Sequence, residues 1–294
     1  MAIQWKRRLA AGLVLAVLPL IMTAGSLHFH CEEARAAQVI KEEKGTYGCL
    51  TWPQNLNAVR SEVEIFKKIP KDLRADTPIA NAIYRNTQVY TNSLMLDMRQ
   101  LPAEKPLFYR VRAYDLDGHP IGPYSQPADV ESALFKTERN APIPHDSYGK
   151  GNGSVLLYPV YAYTGNPNAA RYEVEVTSKY PENLHGFSPS VHRIYAAKTE
   201  LTDLYDDAPR TGTYYWRVRG MDSTGKPVGE WSLPQEIKNP VKHWKVAVYG
   251  DSISHGGGHL SFGPADLAYS YESYLDFPSI NLSQSGDTSE AMVM

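Results

Sequence analysis

The sequence has 294 residues, a formal net charge of −2 and 21% charged residues. This length suits two or three domains, because single domains cluster at roughly 100 to 150 residues. The charge balance lacks the basic excess that a nucleic-acid partner requires, and 43% hydrophobic residues is ordinary for a globular protein rather than a disordered or multispanning one.

The N-terminal segment has the three regions of a secretory signal. Basic residues 6–8 precede an uncharged apolar run over residues 9–25, and an Ala-x-Ala-like site follows at Ala34-Arg35-Ala36. We therefore predict a signal peptide over residues 1–36 and a secreted or cell-envelope protein. One alternative is an uncleaved membrane anchor formed by residues 9–25, and a membrane is expected as a partner only if this segment is uncleaved. The other alternative is lipidation at Cys31. Cleavage after Ala36 removes Cys31, so no disulfide framework is expected.

A block of sequence occurs twice. Tyr109-Arg110-Val111-Arg112 returns as Trp216-Arg217-Val218-Arg219, an offset of 107 residues. Tyr109, Val111 and their equivalents alternate with arginines, as in a strand with one apolar face and one face covered by long polar stems. The same offset relates the turn and terminal residues that follow: Asp115, Gly118, Pro120, Gly122, Ser125 and Pro127 match Asp222, Gly225, Pro227, Gly229, Ser232 and Pro234.

Both blocks resemble the closing hairpin of a fibronectin type III domain. An offset of 107 residues is one such domain, since immunoglobulin-like sandwiches run to roughly 100 residues. We predict two all-β sandwiches, over residues 37–137 and 138–239, with the resemblance itself covering Tyr47 to Val130 and Ala141 to Ile237. Residues 137–153 are expected to form the linker and a flexible first turn. Such domains serve as spacers or binding modules.

Three tyrosines of the second sandwich, Tyr158, Tyr161 and Tyr163, have two possible roles. Exposed rings could stack on sugars, whereas their alternation is equally what a strand face requires. The sequence leaves both roles open.

Residues 240–294 have a different pattern. A β-rich run over Trp244–Tyr249 ends in Gly250-Asp251-Ser252, and a second short strand near 279–282 leads into Ser283-Gln284-Ser285-Gly286-Asp287-Thr288. Asp287 or Thr288 is expected to cap a helix that starts at Ser289. A serine at the C-terminal edge of a parallel strand lies where ligands bind in open α/β sheets.

The two turns, in this order, are similar to the first two conserved blocks of the SGNH (GDSL-type) hydrolases. The resemblance implies the start of an α/β doubly wound, flavodoxin-like domain and a serine ester hydrolase without cofactor or metal. It makes Ser252 the nucleophile and a backbone oxyanion donor, and Gly286 a second backbone donor, while Gly250 and Asp251 support the turn. The implied substrates are esters, among them acylated polysaccharide.

The resemblance is incomplete. The family's Gly-x-Asn-Asp and Asp-x-x-His blocks do not occur after Gly286, so we expect an incomplete domain and an inactive chain. His255 and His259 are alternative candidates for the base. The competing hypothesis is a non-catalytic extracellular binding or adhesion protein built on the two sandwiches.

Overall fold

The computed structural model describes residues 46–55, 57–145, 154–239, 243–255 and 271–291. The signal-peptide, anchor and lipidation hypotheses concern residues that lie outside these ranges. Within the ranges, no helix has both the length and the apolar character needed to cross a membrane.

Two sheets form the first sandwich. Three strands make one sheet in the order β4-β1-β8, and the other has the order β3-β2-β5-β6, with β7 also paired to β5. A helical turn, α1 (Val130–Ala133), precedes the last strand. The strands are β1 (Tyr47–Thr51), β2 (Arg60–Phe66), β3 (Tyr84–Val89), β4 (Ser93–Asp97), β5 (Phe108–Tyr114), β6 (Pro120–Ile121), β7 (Ala128–Asp129) and β8 (Phe135–Thr137).

The second sandwich repeats this arrangement. One sheet has the order β14-β11-β9 and the other β13-β12-β15-β16, with β17 also paired to β15. The strands that follow in the chain are β9 (Ile143–Pro144), β10 (Val155–Leu156), β11 (Val160–Thr164), β12 (Arg171–Thr177), β13 (Arg193–Thr199), β14 (Asp203–Tyr205), β15 (Gly212–Met221), β16 (Pro227–Val228) and β17 (Gln235–Asn239). The prediction of two successive β-sandwiches is therefore confirmed.

The repeated hairpins also have the predicted turns. Gly118 and Gly225, which are 107 residues apart, have φ angles of +79° and +84°. Because this left-handed region suits glycine, the two turns require it. Each turn connects the long inner strand to a short strand of the same sheet.

The arginines of the repeated block are buried rather than solvated. Arg110 bonds to Glu64 at 2.8 Å and to the carbonyls of Arg74 and Thr77, and its guanidinium lies 3.9 Å from the centre of the Tyr124 ring. The loop between β2 and β3 thus closes over the polar face of the sheet.

The second sandwich has the same arrangement. Arg217 bonds to Glu175 at 2.8 Å and to the carbonyls of Asn183 and Gly186, beneath the ring of Trp231. Both sandwiches therefore bury an equivalent arginine–glutamate pair, under the β2–β3 loop in the first and the β12–β13 loop in the second.

The cores settle the role of two tyrosines. Tyr161 and Tyr163 are fully buried between the sheets, where they pack with Val174 and Trp216. A sugar-stacking role is therefore wrong for both. Cys49 is likewise buried, in β1.

The segment between the sandwiches is structured wherever it is described. Thr137 ends β8 and Ile143 begins β9, which pairs with β11, so residues 138–142 connect the two sandwiches, and residues 146–153 of the expected linker and flexible first turn lie outside the described ranges. Asn140 accepts a hydrogen bond from the Glu230 amide at 2.9 Å. At Gly229, whose φ is +78°, a Cβ atom would lie 1.8 Å from the Asn140 carbonyl oxygen. The linker thus packs against the second sandwich.

A fifth sheet in the described residues is parallel and has the order β10-β19-β18. Its other two strands are β18 (Val246–Val248) and β19 (Ser279–Asn281), and a helical turn, α2 (Ser252–His255), follows β18. Strand β10 lies in the range that the sequence assigned to the second sandwich, yet it joins this sheet. Residues 289–291 form a turn, so the helix expected from Ser289 is not found in the described residues.

Candidate functional site

Both candidate turns lie at one edge of the parallel sheet. Strands β18 and β19 are neighbours in register, with Val246 opposite Ser279 and Val248 opposite Asn281. Because the strands are parallel, their C-terminal ends meet at the same edge. The turns that follow Val248 and Asn281 therefore lie side by side.

The first turn places Ser252 at the start of α2. Asp251 accepts a side-chain hydrogen bond from the Ile253 amide at 3.0 Å, and its carbonyl accepts one from the His255 amide at 2.9 Å. At Gly250 an added Cβ atom would lie 2.4 Å from the Cβ of Ser254, which cannot rotate away, so the close return of the chain requires glycine here. Ser252 itself is half-buried.

Two backbone hydrogen bonds connect the segment of the second turn to that of the first. The Leu282 amide donates to the Val248 carbonyl at 2.8 Å, and the Gln284 amide donates to the Gly250 carbonyl at 3.3 Å. Gly286 has a φ of +92° and has open space on the side where a Cβ would lie. The backbone amide of Gly286 therefore belongs to an exposed turn beside the one that carries Ser252.

Asn281, to which the sequence analysis gave no role, is hydrogen-bonded to both turns. It is fully buried, and its amide group donates to the Ser254 carbonyl at 2.8 Å and to Glu272 at 2.9 Å. Its oxygen accepts from the Ser283 amide at 2.9 Å. In the sequence, Asn281 is a polar residue at the end of a predicted buried strand. This position was the available signal for its role, because a buried polar group needs hydrogen-bonding partners.

His255 faces the second sandwich. Its Nε2 lies 2.8 Å from the Tyr158 carbonyl oxygen, which can only accept, so Nε2 carries the proton. Burial lowers the pKa of His255, which keeps the ring neutral. No histidine in the described ranges is hydrogen-bonded to Ser252, and His259 lies outside those ranges. The structure therefore gives His255 a bond other than the one a catalytic base would make.

An acidic group on the first sandwich could hold a cation but has another role. Asp115, Asp117 and His119 lie on the β5–β6 turn with their ligand atoms within 4.8 Å of one another. Asp115 accepts from the His119 amide at 2.7 Å, and Asp222 makes the same bond to the Lys226 amide at 2.9 Å in the second sandwich. The shared bond shows that the aspartate shapes the turn, and we assign no metal here.

A cavity of about 420 Å³ opens between the sheets of the first sandwich, beside Trp52 and Tyr90. Two of its buried polar side chains already bond to the backbone. Asn92 donates to the Trp52 carbonyl at 3.1 Å, and Thr91 donates to the Ser93 carbonyl at 2.6 Å. We therefore assign it no ligand.

Comparison with known proteins identifies no family. No family model matches the chain, and no curated protein does. Among solved structures, the chicken CNTN1 FN1–FN3 domains are similar at 10% identity and a TM-score of 0.22, over 67% of this chain and 57% of that one. Fibronectin(III)-like modules of Clostridium thermocellum CbhA are similar at 14% identity and a TM-score of 0.22, over 70% of this chain and 85% of that one. The sandwich assignment therefore rests on the strand pairings, because these scores are too low to add to it.

Proposed function

We propose that the chain carries the nucleophile and part of the oxyanion hole of an exported serine esterase of the SGNH type. The observation that supports this most is the bond between the two turns, from the Gln284 amide to the Gly250 carbonyl, at the shared C-terminal edge of β18 and β19. It holds the Gly-Asp-Ser turn next to the Ser-Gly-Asp turn. Acyl transfer needs this combination of a serine hydroxyl and backbone N–H groups that stabilise the developing oxyanion.

In this proposal each residue has one role. Ser252 attacks the ester carbonyl, and its own amide and that of Gly286 donate to the oxyanion. Asp251 and Gly250 shape the nucleophile turn. His255 is not assigned as the base, because it donates to Tyr158, and no described residue is assigned as the base or the acid.

The proposed substrates are acyl groups on carbohydrate or cell-envelope polymers. Export, inferred from residues 1–36, favours an extracellular polymer. Tyr249, directly before the nucleophile turn, is 64% exposed, and Ile253, directly after Ser252, is 80% exposed. An exposed ring and an exposed aliphatic side chain suit a sugar ring and a short acyl chain.

The test is hydrolysis of p-nitrophenyl acetate by the full-length gene product. Ser252→Ala should abolish turnover, because no acyl-enzyme can form. Gly286→Val should lower kcat about 10²-fold or more, since a β-branched residue disfavours the positive φ and the oxyanion amide moves. Ser289→Ala, a change at an exposed serine of the same segment, should leave the rate unchanged. Turnover that survives Ser252→Ala would contradict the proposed nucleophile, and no turnover by the wild-type protein would favour the non-catalytic binding hypothesis.

A further inference from the structure

One side chain of the second sandwich contacts both turns of the candidate site. The Tyr205 hydroxyl accepts a hydrogen bond from the Ser285 amide at 3.2 Å. The Tyr205 ring packs edge-on against the His255 ring, with the ring centres 5.3 Å apart. Tyr205 ends β14, so it is held by the sandwich and not by either turn.

The position of Tyr205 relative to the site is fixed by several bonds. Strand β10 pairs in parallel with β19, and the Leu157 amide extends this pairing by donating to the Asn281 carbonyl at 2.9 Å. The Ser279 amide donates to the Ser154 hydroxyl at 3.1 Å, and His255 donates to the Tyr158 carbonyl. The sandwich therefore supplies an edge strand to the parallel sheet and is not a detached spacer.

The contact at Ser285 bears on the amide that matters for catalysis. Ser285 directly precedes Gly286, in the turn that the Asp287 amide closes by donating to the Gln284 carbonyl at 3.2 Å. Gly286 lacks a side chain that could lock its backbone, and its φ of +92° lies in a region that glycine alone enters and leaves readily. The Ser285 N–H belongs to the Gln284–Ser285 peptide, so an acceptor fixed on a rigid domain holds that peptide and thereby restricts the next one, which carries the Gly286 N–H.

We propose that Tyr205 is a positioning residue of the esterase site: through its hydroxyl, the second sandwich holds the Gln284–Ser285 peptide, so that the N–H of the next peptide, that of Gly286, is directed at the substrate oxyanion. This inference rests on the proposed function. It makes the second sandwich part of the catalytic apparatus, where the sequence indicated only a spacer or a binding module.

The test substitutes Tyr205→Phe in the full-length gene product. This change removes the hydroxyl and keeps the ring beside His255. We expect kcat for p-nitrophenyl acetate to fall about 5- to 50-fold, less than the 10²- to 10³-fold loss of a whole oxyanion donor, with KM within about twofold. Amide hydrogen exchange over residues 282–288 should become at least about tenfold faster, since the Ser285 amide loses this acceptor.

The matched control is Tyr163→Phe, which removes a hydroxyl that bonds to the Leu201 carbonyl at 2.8 Å within the same sandwich, away from the two turns. It should leave kcat and exchange over 282–288 unchanged. Wild-type kcat or wild-type exchange in Tyr205→Phe would overturn the inference, and so would an equal loss of kcat in Tyr163→Phe. Ser252→Ala, assayed in parallel, tests the proposed function separately from the role of Tyr205. Activity that survives Ser252→Ala refutes the proposed function and the role of Tyr205 with it. If Ser252→Ala is inactive and Tyr205→Phe behaves as wild type, only the role of Tyr205 fails.

Discussion

Replacing Arg217 with methionine should destabilise the second sandwich by about 3 kcal/mol, the lower end of the range for breaking a buried ion pair. Arg217 and Glu175 are both fully buried, and methionine retains much of the apolar stem. The loop carbonyls of Asn183 and Gly186 lose a donor as well. We expect the loss of stability to stay at the lower end of that range because Arg193, which is 30% exposed, remains 3.2 Å from Glu175.

Native-state hydrogen exchange measures this change domain by domain. A loss of about 3 kcal/mol corresponds to exchange about 150-fold faster for the core amides of β12 and β15, while those of β2 and β5 provide an internal reference. Lys198→Met is the control, because this lysine is 59% exposed and 3.8 Å from Glu173, and it should cost less than about 0.5 kcal/mol. If Arg217→Met accelerates exchange no more than Lys198→Met does, the buried pair does not hold the loop on the sheet.

Three further predictions follow from other contacts. Gly229→Ala should lower the free energy of unfolding by about 2 kcal/mol more than Gly122→Ala does. Both glycines have a positive φ, but only at Gly229 would the new Cβ lie against a linker carbonyl. Equal urea midpoints for the two variants would refute the close contact. Because burial lowers the pKa of His255, its contribution to stability should be complete above the pKa of an exposed histidine, roughly 6.5, and decline as the pH falls below it. His255→Gln should show a weaker decline between neutral and mildly acidic pH, and an identical decline would argue against a buried neutral ring. The 294-residue chain should not hydrolyse p-nitrophenyl acetate, since no Asp-x-x-His block follows Gly286 in its sequence; serine-dependent turnover would direct attention back to His259.

Local patterns in the sequence predicted the sandwich hairpins well. Alternation along Phe108–Tyr114 and the glycine turns depend on neighbouring residues, so a repeat offset was enough to identify them twice. The burial of Arg110 was not predicted, because a loop that returns over the sheet is a tertiary feature. Glu64, opposite Arg110 on the adjacent strand, was the available signal, since opposite charges commonly pair across strands.

The candidate site was predicted only where its features depend on residues that are close in the sequence. The strands before Ser252 and Gly286 and the turns themselves are encoded locally, and β18 and β19 are adjacent and parallel. The pairing of β10 with β19 joins residues 125 positions apart, as does the bond between Ser154 and Ser279, and no local pattern reports it. The contact of Tyr205 with the second turn depends on that pairing and was therefore missed.

The central claim is that Ser252 is the nucleophile. It is tested most directly by treating the full-length gene product with a fluorophosphonate, which phosphonylates activated serines, and mapping the adduct by mass spectrometry. We expect one adduct, on the peptide that contains Ser252, with none in Ser252→Ala and wild-type labelling in Ser289→Ala. Stoichiometric labelling at another serine, or none in a protein that hydrolyses esters, would contradict it.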